Sequence, residues 1–452
     1  MKKKLLSLLL CVSMLSVIFT GCGSKDKSTG GTDANGDGGK GKVYYLNFKP
    51  EVEEVWQEIA AAYKAETGVE VRVVTAAAGT YEQQLKSELA KADAPTLFQI
   101  NGPVGYQNWK EYCADLKDTD LYSWLTDKSM AITDGDGVYG IPYVVEGYGI
   151  IYNDAIMRKY FEMSDKAVTI SSADEIKSFD MLKAVVEDMT AKKEALGIEG
   201  VFGSTSLTPG EDWRWQSHLA NLPLFYEFKD KGISNADTID FTYAENYKNI
   251  FDLYLNNSCT APTMLGSKSV DQSMAELALG QVAMIQNGNW GWGQINGVEG
   301  NTVKPEDVKF LPIYIGAEGE EKQGLCIGTE NFFSINKNAS TEDQAASIAF
   351  VEWLYNTEKG KDFVTNKLGF IAPFTTFGDD EKPTDPLAQI IIKDMENTDT
   401  YNVAWTFGAF PGQTFKDNFG AALLEYAQGS MTWDAVKALV IEQWAADKAL
   451  AK

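Results

Sequence analysis

The sequence predicts an α/β protein with two lobes. Between residues 43 and 100 the apolar pattern changes in the order strand, helix, strand, helix, strand, which is typical of a parallel, doubly wound sheet. The middle third carries mainly helical patterns, so it does not continue that sheet. Residues 43–452 are long enough, and have enough apolar content, for two hydrophobic cores.

The start of this region defines five elements. Strands are predicted at 43–48, 69–75 and 96–100, and helices at 52–67 and 80–91. Gly68 ends the first helix, and Thr80 with Gln83 predicts a capping box at the start of the second. In a parallel sheet, ligands bind beyond the carboxyl ends of the strands. The candidate ligand-binding residues in those loops are Lys49, Glu51, Tyr81 and Asn101.

The rest of the chain contains both strand-like and helix-like apolar patterns. A turn at 134–137 precedes a strand at 138–141, and a further strand covers 143–153. Helices are predicted at 174–194, 213–222, 243–256 and 270–279, and a strand at 281–285. A long helix from Thr341 to Asn366 ends before Leu368-Gly369, and two helices rich in aromatic residues close the chain.

The N-terminus predicts export and a lipid anchor. Residues 1–21 read as a lipoprotein signal peptide, because three lysines precede an apolar stretch too short to span a bilayer. Cys22 is then the lipidation site, and the alternative is an ordinary signal peptide cut elsewhere. Residues 22–42, rich in Gly, Ser, Thr, Asp and Lys, are expected to form a flexible tether. We expect the protein at the cell membrane, facing away from the cytoplasm.

Charge and cysteine usage exclude several classes of function. The net charge of −24 argues against nucleic acid or an anionic membrane surface as the ligand. Cys113, Cys259 and Cys326 are far apart and form no disulfide framework or metal spacing. His218, the only histidine, is predicted to be structural. We expect no metal and no cofactor, since no phosphate-binding loop, dinucleotide fingerprint or nucleophile elbow occurs in the sequence.

The densest group of aromatic and charged residues is Glu211-Asp212-Trp213-Arg214-Trp215. A sugar presents C–H faces that stack on aromatic rings, and hydroxyls that need fixed polar partners. Arg214 is one of only three arginines, and its planar guanidinium can bind two ligand oxygens or support a carboxylate. The alternative is a helix start with the tryptophans in the core and Arg214 on the surface.

Short segments spread over nearly the whole mature chain resemble the extracellular solute-binding protein family 1, the maltose-binding-protein-like receptors of carbohydrate ABC importers. They lie at 56–68, 94–96, 140–148, 152–153, 283–290 and 368–373. The resemblance implies a two-lobed periplasmic-binding-protein fold with a ligand cleft between the lobes and hinges at the chain crossings. It places the N-lobe at 43–145 and 328–368, and the C-lobe at 146–327 and 369–452.

The resemblance also implies ligand-binding residues. Glu146 matches a carboxylate that takes sugar hydroxyls, Glu211 and Trp213 match a carboxylate and a ring facing the sugar, and Trp290 matches a stacking ring. The chain departs from maltose binders after the third strand and near the start of the penultimate helix, where they carry tryptophans. Trp405 is expected to fill the second space.

The expected function is that of a monomeric receptor, without catalysis, that captures an oligosaccharide and delivers it to an ABC permease. A rival is a surface glycoside hydrolase, in which Glu146 and Glu211 serve as the two carboxylates of the reaction. A third alternative is a receptor for a non-sugar solute such as a peptide or a phosphorylated metabolite.

Overall fold

Two separate β-sheets organise the chain. The computed structural model describes residues 40–77 and 79–450, which belong to one compact unit. The strands of this part are β1 (Lys42–Asn47), β2 (Glu70–Thr75), β3 (Leu97–Asn101), β4 (Ile132–Asp134), β5 (Gly137–Pro142), β6 (Glu146–Asn153), β7 (Gly200–Phe202), β8 (Val282–Gly288), β9 (Val308–Leu311), β10 (Gln323–Gly328), β11 (Asn331–Ile335) and β12 (Tyr401–Ala404).

Helices cover the sheets. They are α1 (Glu53–Thr67), α2 (Tyr81–Leu89), α3 (Gly102–Trp109), α4 (Asp120–Ser123), α5 (Asp154–Phe161), α6 (Phe179–Ala191), α7 (Lys193–Leu196), α8 (Asn221–Lys231), α9 (Ala244–Asn256), α10 (Val270–Ala278), α11 (Trp292–Asn296), α12 (Thr341–Asn356), α13 (Glu358–Asp362), α14 (Pro386–Met395), α15 (Gln413–Ala427) and α16 (Trp433–Leu450). Arg214–Leu219 and Phe363–Lys367 are π-helical.

The first lobe is built on a sheet with strand order β2-β1-β3-β11-β5-β4. β1 pairs in parallel with both β2 and β3, which confirms the predicted parallel unit. Tyr45 of β1 packs edge-on against Trp56 of α1 and Phe333 of β11, with ring centres 4.8 and 5.7 Å away. The carboxyl ends of β1, β2 and β3 therefore meet at one edge of the sheet.

The second lobe is built on a sheet with strand order β12-β10-β6-β8-β7, and β9 also pairs with β6. β6 is buried along its whole length and pairs antiparallel with β8, β9 and β10. Aromatic side chains of the helices fill the core of this lobe. Tyr247 of α9 stacks on Trp433 of α16 with ring centres 5.5 Å apart, and Trp444 of α16 is fully buried. This lobe therefore has a core of its own.

The chain passes between the sheets at three places. It changes sheet between β5 and β6, and again between β10 and β11. A third passage follows α13, where Phe370 packs in the first core while the carbonyl of Ile371 accepts a 2.8 Å hydrogen bond from the backbone N–H of Val145. Gly369, just before Phe370, has φ of +69°, a conformation that favours glycine.

Two helix predictions are wrong in detail. The helix predicted at 341–366 is interrupted at Thr357, whose hydroxyl accepts from the backbone N–H of Gly360 at 3.1 Å and so starts a new helix. The capping box at Thr80 does not form, because this hydroxyl donates to the carbonyl of Ala77 at 2.8 Å instead. Both hydroxyls bond to local backbone, a competition that sequence spacing does not resolve.

The predicted signal peptide, the lipidation site Cys22 and residues 22–39 of the predicted tether lie outside the described residues. Lys42, the last residue assigned to the tether, already belongs to β1, and its backbone N–H donates to Asp343 at 2.8 Å. Within residues 40–77 and 79–450, no helix combines the length and the apolar character needed to cross a membrane.

Candidate functional site

The loops that follow β1, β2 and β3 all lie against the second lobe. After β1, the Nζ of Lys49 reaches Glu146 at the start of β6. After β2, Gly79 is in backbone contact with Gly210. After β3, Pro103 lies against Gly408, close enough that a Cβ on the glycine would be 3.1 Å from the proline ring. The lobes therefore touch in this structure, and the residues between these contacts form the candidate site.

A buried ion pair joins the two lobes at the candidate site. Lys49 donates to Glu146 at 2.8 Å and lies 3.6 Å from Glu51, while Asn331 at the start of β11 donates to the second oxygen of Glu146 at 2.7 Å. Both side chains of the pair are at most 6% exposed. Burial lowers the pKa of Lys49, but the two carboxylates outweigh it and hold this pKa above its ordinary value. Lys49 is therefore a fixed cation.

Aromatic rings surround His218 in the second lobe. Its ring centre lies 4.6 Å from those of Trp213 and Tyr148, 5.7 Å from Trp290 and 5.8 Å from Trp405. Phe407 completes the group at 4.8 Å. We call these six residues the aromatic cluster. It unites three rings that the sequence analysis singled out, Trp213, Trp290 and Trp405, with a histidine that it treated as structural.

The imidazole of His218 is neutral. Burial lowers its pKa well below the ordinary value, and the neighbouring cations Arg214, Lys416 and Lys49 lower it further. Its Nδ1 lies 3.3 Å from the carbonyl of Trp213, which only accepts, so this contact assigns the proton to Nδ1. Nε2 is then left as a hydrogen-bond acceptor.

Arg214 lies beside the cluster as a buried cation. Its guanidinium is 3.9 Å from the ring centre of Trp213, and its Nε donates to Asn287 at 3.2 Å. Burial lowers its pKa to about 9, so it stays charged at neutral pH. Among the described residues no carboxylate lies within 4.0 Å of it, although Glu211 and Glu51 act on it at longer range.

The remaining predicted residues have other partners. Glu211 accepts from the backbone N–H of Val270 at 2.7 Å, at the amino end of α10. The hydroxyl of Tyr81 bonds to the backbone of Gln99 inside the first lobe, at 2.7 and 2.9 Å. Asn101 accepts from the Gln99 side chain at 2.6 Å and faces Asn331 across the sheet. The structure thus brings Glu211 to the edge of the cluster but leaves Tyr81 outside it.

Several buried polar atoms around the site have no partner in the described part of the chain. They include the Nε1 of Trp290 and of Trp405 and the side-chain oxygens of Gln216, Gln286 and Asn331. Buried polar groups are normally hydrogen-bonded, so these atoms are exceptions in this part of the molecule. No group of three or more His, Cys, Asp or Glu side chains suited to a metal ion occurs within the described residues.

Cleft and lobes can be compared with known proteins. A family model described as bacterial extracellular solute-binding protein matches residues 58–389. No curated protein matches by sequence. A chitin oligosaccharide binding protein shares the fold with a TM-score of 0.69 and 17% identity, covering 90% of this chain and 98% of its own.

Other solved structures have the same architecture. RafE in complex with raffinose gives a TM-score of 0.68 and 16% identity over 89% of this chain and 100% of its own. A sugar transporter from Bacillus licheniformis, in complex with stachyose, gives a TM-score of 0.64 and 17% identity, covering 89% of this chain and 100% of its own. The fold class and the family resemblance are confirmed: the chain belongs to the bacterial extracellular solute-binding proteins and has their two-lobed fold.

Proposed function

We propose that this protein captures an oligosaccharide between its lobes and delivers it to the permease of an ABC importer. The observation that carries the proposal is that an aromatic cluster of the second lobe lies near a buried ion pair whose two members, Lys49 and Glu146, come from different lobes. The structural neighbours that bind chitin oligosaccharide, raffinose and stachyose support a sugar as the ligand. The family acts outside the cytoplasm, and we propose that a lipid on Cys22 holds this member at the membrane as a monomer.

The proposed site divides the work of recognition between the two lobes. Rings of the aromatic cluster stack on the C–H faces of the sugar, and Arg214 with Glu211 binds hydroxyls at the edge. Further hydroxyls bind to the Lys49–Glu146 pair and to Glu51 and Asn101 of the first lobe. Tyr81 supports this group from inside the first lobe. Since such a ligand is contacted on both sides only when the lobes meet, it shifts the population toward closure. We propose 43–145 with 328–368, and 146–327 with 369–452, as the moving lobes.

Binding without catalysis fits the two carboxylates better than hydrolysis does. Glu146 is occupied by Lys49 and Asn331, and Glu211 by the backbone of α10. Neither is placed as a free acid beside a free nucleophile. The third alternative, a non-sugar solute such as a peptide or a phosphorylated metabolite, is less favoured where the solute is anionic, because Lys49 lies beside two carboxylates and Arg214 is the one further buried cation described in the site.

A tryptophan-fluorescence titration against a panel of neutral oligosaccharides tests the proposal. Binding is expected to change the emission of Trp213 and Trp290, and no new reducing ends should appear during long incubation. Trp124, half-buried in the first lobe, provides a control variant that keeps the signal change when replaced by Phe. Sustained release of reducing ends, or no response to any sugar, would contradict the proposed function.

A further inference from the structure

Two glycines, one from each lobe, make a backbone contact across the cleft. Gly79 lies in the loop after β2 and Gly210 in the loop before Trp213. A Cβ on Gly79 would be 2.8 Å from the Cα of Gly210 and 3.0 Å from its carbonyl oxygen. Real Cβ atoms do not approach other heavy atoms so closely, so this contact requires a residue without a side chain at position 79.

Both glycines also adopt a conformation that side chains disfavour. Their φ angles are +72° for Gly79 and +87° for Gly210. Such positive values strain the backbone of a residue that carries a side chain. The backbones of Gly79 and Gly210 are therefore in direct contact. At this point the two lobes lie closer together than residues with side chains would allow.

A second interlobe contact joins α3 to the segment that carries Phe407. Pro103, at the start of α3, meets Gly408, which follows Phe407. Each contact is close in sequence to a ring of the cluster: Gly210 precedes Trp213 by three residues, and Gly408 follows Trp405 by three residues. Both of these rings lie within 6 Å of the ring of His218, measured between ring centres.

From this arrangement we infer that the Gly79–Gly210 and Pro103–Gly408 contacts close both ends of the cleft and select an oligosaccharide short enough to be enclosed between them. The inference rests on the proposed function and adds to it the length of the ligand. An oligosaccharide that extended past either contact would hold the lobes apart. It would then lose its contacts with the Lys49–Glu146 pair or with the aromatic cluster. Long oligosaccharides and polysaccharides are therefore poor ligands.

The experiment measures affinity by calorimetry as a function of ligand length. The probes are linear oligomers of glucose, xylose and N-acetylglucosamine from disaccharide to octasaccharide, together with raffinose and stachyose. In the series that binds, the affinity is expected to peak at a short member and to fall at least about tenfold by the octasaccharide. An octasaccharide that binds as tightly as the best short member would overturn the inference but leave the proposed function intact.

Substitution of one glycine tests the contact itself. Gly79→Ala is expected to weaken binding of the best short sugar at least about tenfold, because the methyl group keeps the lobes from meeting. Gly135→Ala is the matched control, since Gly135 has φ of +56° but no heavy atom within 4 Å of the place where its methyl group would lie. Equal effects of the two substitutions on binding would contradict the inference, and if Gly79→Ala does not fold, the length series on the unmodified protein decides. If no sugar binds at all, the inference falls together with the proposed function.

Discussion

The indole rings of Trp213 and Trp290, both in the aromatic cluster, differ in their contacts with the rest of the protein. Trp213 carries the guanidinium of Arg214 at 3.9 Å from its ring centre, so one of its faces is covered by a cation. Trp290 is half-buried and keeps an Nε1–H without a partner among the described residues. Trp213 is therefore covered on one face by a cation, whereas the ring of Trp290 lies against the backbone of Gly288.

Replacing either indole is expected to weaken sugar binding with folding retained. Trp213→Ala and Trp290→Ala should each cost about 1–3 kcal/mol of binding free energy, the usual loss for a stacked ring at the centre of a site. Calorimetry with the best sugar measures the effect, and circular dichroism checks the fold. Unchanged affinity in both variants would place the ligand elsewhere.

Removing Lys49 is expected to destabilise the fold itself. Lys49→Met leaves Glu146 buried without its cation, which typically costs about 3–5 kcal/mol of unfolding free energy. Burial already raises the pKa of Glu146, and loss of Lys49 raises it further. A protein with a carboxyl group whose pKa is higher in the folded than in the unfolded state becomes less stable as pH rises. The variant should therefore recover part of the lost unfolding free energy at acidic pH.

Urea unfolding of Lys49→Met at acidic and neutral pH measures this prediction. The matched control is Lys42→Met, since Lys42 also forms an ion pair but its side chain is 52% exposed. A similar small effect of both substitutions would mean that the Lys49–Glu146 pair contributes nothing specific to stability.

Site residues were predictable where a motif carried them. Glu211, Trp213 and Arg214 share one segment, and Trp290 and Glu146 stand in segments that resemble the family. His218 and Asn331 were not predictable, because a single histidine and a single asparagine give no pattern. Their partners include Tyr148 and Glu146, far away along the chain, and only the folded arrangement brings them together.

At the scale of elements, helix α15 packs against a buried carboxylate. Asp212, 6% exposed, lies against Gly420 in the middle of this helix. Burial raises the pKa of Asp212 to about 6, and the nearby Asp417 raises it as well. The charged form is thus disfavoured in the folded protein, and α15 packs best when this carboxyl group is protonated.

The stability of the wild-type protein should fall, relative to Asp212→Asn, as pH rises from about 4 to about 6. The sign follows because the folded state binds more protons than the unfolded state within this window. The difference should reach about 1–3 kcal/mol at neutral pH. Urea unfolding of both proteins across this range measures it, with exposed Asp165→Asn as the control. A constant difference would contradict the prediction.

Elements with a strong local period were predictable, and strands without one were not. β1, α1, β2 and β3 have clear patterns, and Gly68 ends α1 with φ of +77° as expected. Strands β9, β10 and β12 were not predicted, and each pairs with a strand far away along the chain. The π-helical turn at 214–219 was predicted only as a helix, because side-chain periodicity does not distinguish the two within so few residues.

At the scale of the molecule, the proposed ligand would couple the two cores, because both lobes would contact it. A sugar held by both lobes binds only the folded, closed protein. At one hundred times its dissociation constant it should add about 2.7 kcal/mol to the unfolding free energy. Differential scanning calorimetry should show the whole transition moving to higher temperature. A shift confined to one of two resolved transitions would mean that a single lobe holds the ligand.

The two-lobed class was predictable from the parallel unit and the chain length, but the order of strands in each sheet was not. β11 enters the first sheet between β3 and β5, and β12 joins the second sheet beside β10. These pairings join residues more than 70 positions apart, and sequence patterns do not encode which distant strand is the partner.

The position of β11 has a consequence for biosynthesis. The central place in the first sheet is filled by residues 331–335, so β3 and β5 have no neighbour on that side until most of the polypeptide has been made. A nascent chain that stops short of Ile335 cannot complete its amino-terminal half. We therefore expect the first sheet to form only after Ile335 has been synthesised.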